Sequence, residues 1–358
     1  MAYILGTEVV FPKHHYNQDQ LLDALVELWG DELYNPERLR SFFHNVQVGG
    51  RHLALAKEKY REVRDFKSRN LAFREVALEL LEELVPALLT KTQFRYEDVS
   101  FLVSTTVTGL SVPTLEARLM NRLPIPKQAR RVPLFGLGCL AGAAGVARTH
   151  DLLGETDEVA LMLAVELCSL TLQTKDVSIA NLVSTGLFGD GSAGVIMAGP
   201  GNLRAKELVS QGKGCKVVAT RSYLFPDSEQ VMGWEFDQDG FQVVLNSEVP
   251  DYARGVVSQG VQEFLADHEL QVADIAHWIA HPGGPKVISG LEEGLDIPGA
   301  LDRSRASLRD VGNLSSVSVL TILHEVLGSG EPQPGDYGLL MAMGPAFCAE
   351  VVLLKWEA

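Results

Sequence analysis

A chain of 358 residues, 46% of them hydrophobic, can bury a large core, which predicts two units of about 150 residues or one large α/β fold. The net charge of −15 argues against a nucleic-acid partner, because phosphate neutralisation needs a basic face. No apolar run reaches the roughly 20 residues that span a bilayer, and the first residues lack the basic start of a secretory signal, so we expect a cytoplasmic protein without a membrane span.

In chain order, apolar periodicity predicts alternating strands and helices in the first 200 residues. A turn at 12–17 leads into a first helix, for which Asn17 is the candidate cap. The longest helix is expected to be ended by Pro86 and the residues after it. The predicted strands are 3–10, 99–106 and 159–168, and the predicted helices are 18–29, 36–44, 68–89 and 115–123.

The pattern begins again in the second half of the chain. A glycine-rich strand at 335–347 closes this half much as 189–200 closes the first, which suggests a duplicated α/β fold. We therefore predict an N-terminal half of 1–204 and a C-terminal half of 205–358. The predicted strands are 215–221 and 275–279, and the predicted helices are 252–267, 285–294 and 314–327.

The stretch 131–153 combines a short apolar strand, a glycine turn that holds Cys139, and a helix that begins Ala141-Gly-Ala-Ala-Gly145. Glycine costs about 1 kcal/mol relative to alanine in a helix, so such a helix is expected to be buried, with another backbone packed closely on it. The Cys139 thiol then lies at a buried helix N-terminus, where the helix dipole favours a thiolate nucleophile. The alternative is a buried cysteine that only packs as a small hydrophobe.

The four cysteines are scattered without Cys-x-x-Cys spacing, which argues against a disulfide framework and a metal site. Two other turns follow predicted strands, as the Cys139 turn does. His281 is fixed by the sequence His-Pro-Gly-Gly, and Asn313 follows a glycine. Separately, His281 could satisfy a turn and Asn313 could cap a helix. Together with Cys139 they form a Cys, His, Asn set at strand ends, where α/β folds place their chemistry.

The chain contains, in this order, the motifs Leu137-Gly-Cys139, Leu187-Phe-Gly-Asp-Gly191, His281-Pro-Gly-Gly-Pro285, Gly312-Asn-Leu-Ser-Ser316 and Met343-Gly-Pro345. They resemble the successive motifs of the type III polyketide synthases, the chalcone and stilbene synthase family. The likeness runs from about Tyr3 to about Trp356, and His-Pro-Gly-Gly is its most specific part. The resemblance implies a thiolase-like duplicated αβαβα five-layer fold, a homodimer, and coenzyme A thioesters as substrates, with no metal or redox cofactor.

By the same resemblance, Cys139 is the nucleophile, His281 pairs with its thiolate, and Asn313 helps to stabilise the decarboxylating substrate. This fits the chemistry, because a thiolate accepts an acyl group from a thioester and neutral or cationic donors stabilise the enolate left when a malonyl unit loses carbon dioxide.

Phe188 matches the aromatic gatekeeper of the family. Val243 stands where plant members have a second, phenylalanine gatekeeper, so we expect a wider pocket mouth. Thr171, Ser315 and Met343 match residues that line the acyl cavity, although Thr171 and Ser315 could instead bond to backbone groups.

The coenzyme-binding positions match the family less well. Arg38 is retained, while Ser41 and Asn45 stand where Arg and Lys are expected. Arg40 and Lys286 could compensate, or both could be solvated surface residues. This leaves an acyl-carrier protein open as the starter donor.

The predicted activity is loading of a starter acyl group on Cys139, extension by decarboxylative Claisen condensation with malonyl-CoA, and release of a pyrone- or resorcinol-type ring. One rival is a single-condensation ketoacyl synthase of the third type, and another is a cysteine protease, which also uses Cys, His and Asn. A third is a non-enzymatic thiolase-fold subunit, which the intact Cys, His, Asn set argues against.

Val112 stands where plant enzymes place a methionine that crosses the dimer interface.

Overall fold

A computed structural model of the chain describes residues 1–30 and 35–357. The strands are β1 (Tyr3–Val10), β2 (His14–Asn17), β3 (Gly50–Leu53), β4 (Val99–Thr105), β5 (Arg130–Leu134), β6 (Val159–Leu167), β7 (Asp190–Ala198), β8 (Cys215–Leu224), β9 (Met232–Asp237), β10 (Gly240–Leu245), β11 (Ile275–Ala280), β12 (Tyr337–Gly344) and β13 (Cys348–Lys355).

The helices are α1 (Gln18–Trp29), α2 (Pro36–Asn45), α3 (Phe66–Thr92), α4 (Leu115–Leu119), α5 (Ala141–Leu153), α6 (Ile179–Leu187), α7 (Leu203–Ser210), α8 (Val249–Tyr252), α9 (Ser258–Ala266), α10 (Pro285–Leu295), α11 (Asp302–Val311) and α12 (Ser316–Ser329). Two short 3₁₀ turns, Gly138–Leu140 and Cys168–Thr171, lie near the candidate site. Among the described residues, no helix is both long and apolar enough to cross a membrane.

Within the described residues, nine strands form one sheet in the order β11-β12-β13-β8-β1-β7-β6-β4-β5. The pairing repeats in the two halves of the chain. In the first half β4 and β6 are parallel, while β6 with β7 and β7 with β1 are antiparallel. In the second half β11 and β12 are parallel, while β12 with β13 and β13 with β8 are antiparallel. The sheet therefore has the internal duplication that the sequence suggests.

Of the four buried hydrophobic clusters among the described residues, three divide the molecule into layers. The middle cluster packs α5 and α12 between the two halves of the sheet. A second cluster packs α3 on the outer face of the first half, and a third packs α9 and α10 on the outer face of the second. This is the predicted αβαβα five-layer fold. The division into 1–204 and 205–358 stays a prediction.

The prediction that the long helix ends near Pro86 is wrong, because α3 runs through Pro86 to Thr92. Proline removes one backbone hydrogen bond from the helix. The side chains on either side of it, including Val85 and Leu88, are fully buried against the sheet. Burial of such side chains contributes about 1.5–3 kcal/mol each, which outweighs the lost bond.

Several other boundaries differ because distant partners decide them. Residues 14–17, predicted as part of a turn, form β2 because they pair with β3, more than 30 residues away. The predicted helix at 252–267 begins earlier, at Val249, and a π-helical turn (Ala253–Val257) joins α8 to α9. The helix predicted at 115–123 ends at Leu119.

Candidate active site

Cys139 lies in the 3₁₀ turn directly before α5, at the N-terminal end of a helix whose first seven residues are buried. Gly142 in the first turn is needed for close packing, because a Cβ there would lie 2.2 Å from the backbone oxygen of Ser316 in α12. The prediction of a buried small-residue helix with a backbone packed on it is therefore confirmed.

A chain of hydrogen bonds connects Cys139 to Asn313. Cys139 Sγ donates to Ser315 Oγ at 3.5 Å, and the backbone N–H of Ser315 donates to Asn313 Oδ1 at 2.8 Å. Asn313 Nδ2 donates to no group among the described residues, so its two protons are available to a ligand. Asn313 does not cap α12, since the residue at the cap position is Ser315, which makes no side-chain capping bond.

His281 directly follows β11, and its backbone N–H donates to Met341 O in β12 at 2.9 Å. Further along β12, Gly344 packs against Leu137 and Leu140, which flank Cys139, with a Cβ position 2.6 Å from Leu137 O. His281 and Cys139 are thus brought to the same end of the sheet. The imidazole is buried, and its Nδ1 has no hydrogen-bond partner among the described residues.

Burial shifts the titration of both groups. It raises the pKa of the Cys139 thiol to about 12, with a smaller upward contribution from the Glu166 charge, while the Ser315 hydrogen bond lowers it. Burial lowers the pKa of His281 to about 3. Each shift disfavours a single isolated charge. A proton that passes from the thiol to the imidazole creates two opposite charges together, so thiolate and imidazolium would form as a coupled pair.

Glu166 is a buried acid beside this site that the sequence analysis did not assign to it. Its Oε2 accepts hydrogen bonds from Val107 N and Thr108 Oγ1, and its Oε1 accepts one from Ser316 Oγ. Burial raises the pKa of Glu166 to about 7, although these bonds lower it. The available signal was a single charge within an otherwise apolar strand.

A cavity of about 380 Å³ reaches the site through Phe188, which forms a bridge with Asn313, whereas Cys139, His281 and Asn313 are not part of its lining. Its walls come from α1, the end of β3, the turn Cys168–Thr171, α6 and the β9–β10 hairpin. Its apolar and aromatic lining comprises Leu21, Ala24, Leu25, Leu28, Leu53, Tyr60, Leu172, Phe188, Trp234, Phe241 and Val243. Its volume is within the range of roughly 300–1,000 Å³ that is typical of small-molecule sites.

The structure places three of the five predicted pocket residues in this cavity. Phe188, Val243 and Thr171 line it, and Thr171 Oγ1 also donates to Cys168 O at 2.7 Å. Ser315 instead contacts Cys139, and Met343 is buried in β12 beside the Cys139 turn. Trp234, which the sequence analysis missed, is the cross-strand partner of Val243 and lines the same cavity. The small Val243 side chain therefore does not by itself determine the width of the cavity.

The predicted coenzyme-binding residues lie outside the lining of this cavity. Arg38 is exposed on α2 and stacks over Phe42 at 5.4 Å. Arg40 approaches Asp23 and Glu37 within 4 Å and lines a separate surface groove. Lys286 is exposed in the first turn of α10, five residues after His281.

Comparison with known proteins agrees with this arrangement. The family model described as chalcone and stilbene synthases, N-terminal domain, matches residues 1–200, and that of the C-terminal domain matches residues 216–356. The chain belongs to the chalcone and stilbene synthase family and is a type III polyketide synthase, an enzyme of the acyltransferase class.

Individual relatives match over more than nine tenths of their length. A 1,3,6,8-tetrahydroxynaphthalene synthase from Streptomyces peucetius subsp. caesius is 44% identical, over 99% of this chain and 93% of that protein. A putative chalcone synthase from Bacillus subtilis (strain 168) is 34% identical, over 100% and 99%. The crystal structure of the 1,3,6,8-tetrahydroxynaphthalene synthase from Streptomyces coelicolor A3(2) superimposes with a TM-score of 0.91 at 28% identity, covering 99% of each chain.

Proposed function

We propose that this enzyme loads a starter acyl group from a coenzyme A thioester on Cys139, extends it with malonyl-CoA and cyclises the chain. The observation that carries the proposal is the hydrogen-bonded series Cys139–Ser315–Asn313, which is joined through the Asn313–Phe188 bridge to the wall of a cavity of about 380 Å³. In the loading step the thiol proton passes to His281 and the sulfur attacks the thioester carbonyl. The bond from the carbonyl carbon to the coenzyme A sulfur then breaks, and the leaving thiolate takes the proton back from His281, so that coenzyme A departs as its thiol. The cycle then continues on malonyl-CoA.

In the extension step Asn313 Nδ2 and the His281 ring donate hydrogen bonds to the thioester oxygen of malonyl-CoA as carbon dioxide leaves. Such donors in a buried site contribute about 3 kcal/mol each to the transition state. The enolate carbon attacks the acyl carbon on Cys139, and the bond from that carbon to the sulfur breaks. Cys139 is released as a thiolate, and the chain, now two carbons longer, is held on coenzyme A. No metal or redox cofactor enters these steps, so activity is expected to survive treatment with EDTA.

The proposed product is a pyrone, a resorcinol or a related polyhydroxylated ring. The proteins named as 1,3,6,8-tetrahydroxynaphthalene synthases among the relatives make that fused ring the first product to test for. Relatives named as 1,3,6,8-tetrahydroxynaphthalene and phloroglucinol synthases support several extensions over the single condensation of a ketoacyl synthase. The family membership does not favour a protease.

We also propose that the active form is a homodimer. The Val112 side chain, in the loop after β4, is 93% exposed, and Phe135, directly after the paired strand β5, is half exposed, which leaves apolar surface for a second copy to cover. Coenzyme A is the proposed starter carrier. The exposed Arg38 and Lys286 are the proposed contacts for its phosphates, with an acyl-carrier protein as the alternative donor.

The test is incubation of the pure protein with malonyl-CoA, alone and with a series of short and long acyl-CoAs, followed by mass analysis of the products. Cys139→Ala should abolish both acyl-enzyme and product while keeping the fold. The matched control is Cys215→Ala, which removes a thiol buried in the middle hydrophobic cluster and should keep activity. Full product formation by Cys139→Ala would contradict the assignment.

A further inference from the structure

Arg51 is a buried arginine that has no role in the steps above. It lies in β3, its side chain is only 3% exposed, and it forms part of the cavity wall. Burying a guanidinium is costly unless its hydrogen bonds are made. The contacts of Arg51 must therefore offset the cost of burying its charge.

The first contact is with the C-terminal end of α6. Arg51 Nη1 donates to Phe188 O at 2.8 Å and to Thr185 O. These carbonyls lie where the helix dipole places partial negative charge and where helical partners end, so a cation is favourable there. The guanidinium also lies 5.8 Å from the centre of the Phe43 ring. Together, these contacts fix the backbone that carries Phe188.

The second contact is with the short bridge between the segments that carry Phe188 and Asn313. Phe188 and Asn313 form a parallel bridge, in which Asn313 N donates to Leu187 O and Gly189 N donates to Asn313 O, both at 2.9 Å. The aliphatic part of the Arg51 side chain packs against this bridge. A Cβ on Gly312, next to Asn313, would lie only 3.0 Å from Arg51 Cγ. One side chain thus supports both segments.

A carboxylate in the same buried group balances the charge. Asp190 accepts hydrogen bonds from the backbone N–H groups of Ala54 and Ser169 at 2.6 and 2.8 Å, which connects the end of β3 to the turn Cys168–Thr171. The Asp190 charge also acts on Arg51: burial lowers the pKa of the guanidinium to about 10, and Asp190 is the largest influence that raises it. Arg51 therefore stays charged at neutral pH.

We propose that Arg51 is a positioning residue, which holds Phe188 and Asn313 in register so that the Asn313 amide meets the malonyl thioester. The inference rests on the proposed function, because it needs Asn313 at the decarboxylation step. It predicts a specific split between half-reactions. Acyl transfer to Cys139 depends on Cys139 and His281, and Arg51 contacts neither of them. Decarboxylation depends on Asn313, whose bridge to Phe188 is supported by Arg51.

The experiment compares Arg51→Met, Arg51→Lys and wild-type enzyme in two assays. One measures acyl-enzyme formation by intact-protein mass, and the other measures carbon dioxide released from malonyl-CoA. A misplacement of about 1 Å can cost roughly 100-fold in rate, so Arg51→Met should lose about that much decarboxylation with little change in loading. Arg51→Lys retains the charge and a donor, and should recover part of the loss.

The matched control is Arg204→Met. Arg51 and Arg204 each have a buried Nε without a partner among the described residues. Arg204 likewise stacks over an aromatic ring, Phe94 at 5.1 Å, but it lies on α7 near the C-terminal end of α3. Arg204→Met should leave both acyl-enzyme formation and carbon dioxide release unchanged. Equal losses in loading and decarboxylation by Arg51→Met, or no loss in either, would overturn the inference. Should Arg51→Met fail to fold, the ratio of the two rates in Arg51→Lys decides.

Failure of the proposed function would look different. A wild-type enzyme that releases no carbon dioxide from malonyl-CoA contradicts the proposed function and this inference with it. An active wild-type enzyme with unaffected Arg51 variants contradicts the inference alone.

Discussion

The backbone N–H of Ser315 donates a 2.8 Å hydrogen bond to Asn313 Oδ1, and this bond orients the amide with Nδ2 available to a ligand. Ser315 itself has a φ of 53°, which is rare for a residue with a side chain. A strained residue that both fixes Asn313 and accepts the Cys139 thiol bond is typical of functional sites.

From this bond we predict the effect of Asn313→Asp. Aspartate keeps an acceptor for Ser315 N but replaces the donor with a negatively charged oxygen that repels the developing enolate. Loss of one such donor costs about 100- to 1,000-fold in rate, so carbon dioxide release from malonyl-CoA should fall by at least that factor. Asn202→Asp, which exchanges one good helix cap for another on α7, should have no effect. Near-normal release by Asn313→Asp would contradict the role of the amide.

Glu166 leads to a prediction about stability and pH. Burial raises its pKa from 4.5 to about 7, so the folded protein binds this proton more tightly than the unfolded chain does. Its contribution to the free energy of unfolding must then decrease as the pH rises from about 4.5 to about 7. A shift of this size corresponds to roughly 3 kcal/mol.

Glu166→Gln mimics the protonated side chain and can still pair with Ser316. At pH 8 the variant should unfold at a higher denaturant concentration than wild type, because its free energy of unfolding is larger by up to about 3 kcal/mol. At pH 4.5 the two proteins should unfold at nearly the same concentration. Glu79→Gln, exposed on α3, should differ from wild type at neither pH. A pH-independent difference for Glu166→Gln would mean that burial of the charge is not the cause.

Much of the fold followed from the sequence because local signals and packing agree. The Gly-Ala run after Cys139 predicts a buried helix, and Gly142 does pack against Ser316. Pro86 predicts a helix end that α3 does not have, because burial of its neighbours outweighs one missing hydrogen bond.

The site was less predictable, since its details depend on contacts between distant residues. No local pattern reveals that Ser315 adopts a positive φ or that Trp234 faces Val243 across a hairpin. Arg51 resembles any arginine on a short strand until the fold brings Phe188 and Asn313 around it. Glu166 was the exception, because a lone charge in an apolar strand is visible in the sequence itself.

The contact between α5 and α12 can be tested with two glycines. Gly142→Ala forces a Cβ to within 2.2 Å of Ser316 O, so the helices must separate, and overpacking of this kind typically costs about 1–3 kcal/mol. Gly328→Ala, in α12 with open space around it, should instead stabilise the protein by about 0.5–1 kcal/mol. Thermal unfolding of the two variants should therefore shift in opposite directions, and a stabilised Gly142→Ala would contradict the packing.

Trp234 offers a test of starter selection. Its side chain lines the cavity beside its cross-strand partner Val243, so Trp234→Ala should enlarge the cavity that Phe188 also lines. Each methylene accommodated in an apolar pocket is worth about 1–3 kcal/mol. We therefore expect kcat/KM for long acyl-CoA starters to rise at least 10-fold relative to short ones, measured from product masses and initial rates.

The control for this experiment is Phe236→Ala on the same strand. Phe236 is 56% exposed and lies outside the cavity lining, while it contacts Phe241 just as Trp234 does, with ring centres 4.9 and 5.9 Å apart. A general loosening of the β9–β10 hairpin would change starter preference in both variants. A change confined to Trp234→Ala would assign the effect to the cavity wall, whereas an unchanged preference in that variant would mean that the starter occupies another part of the cavity.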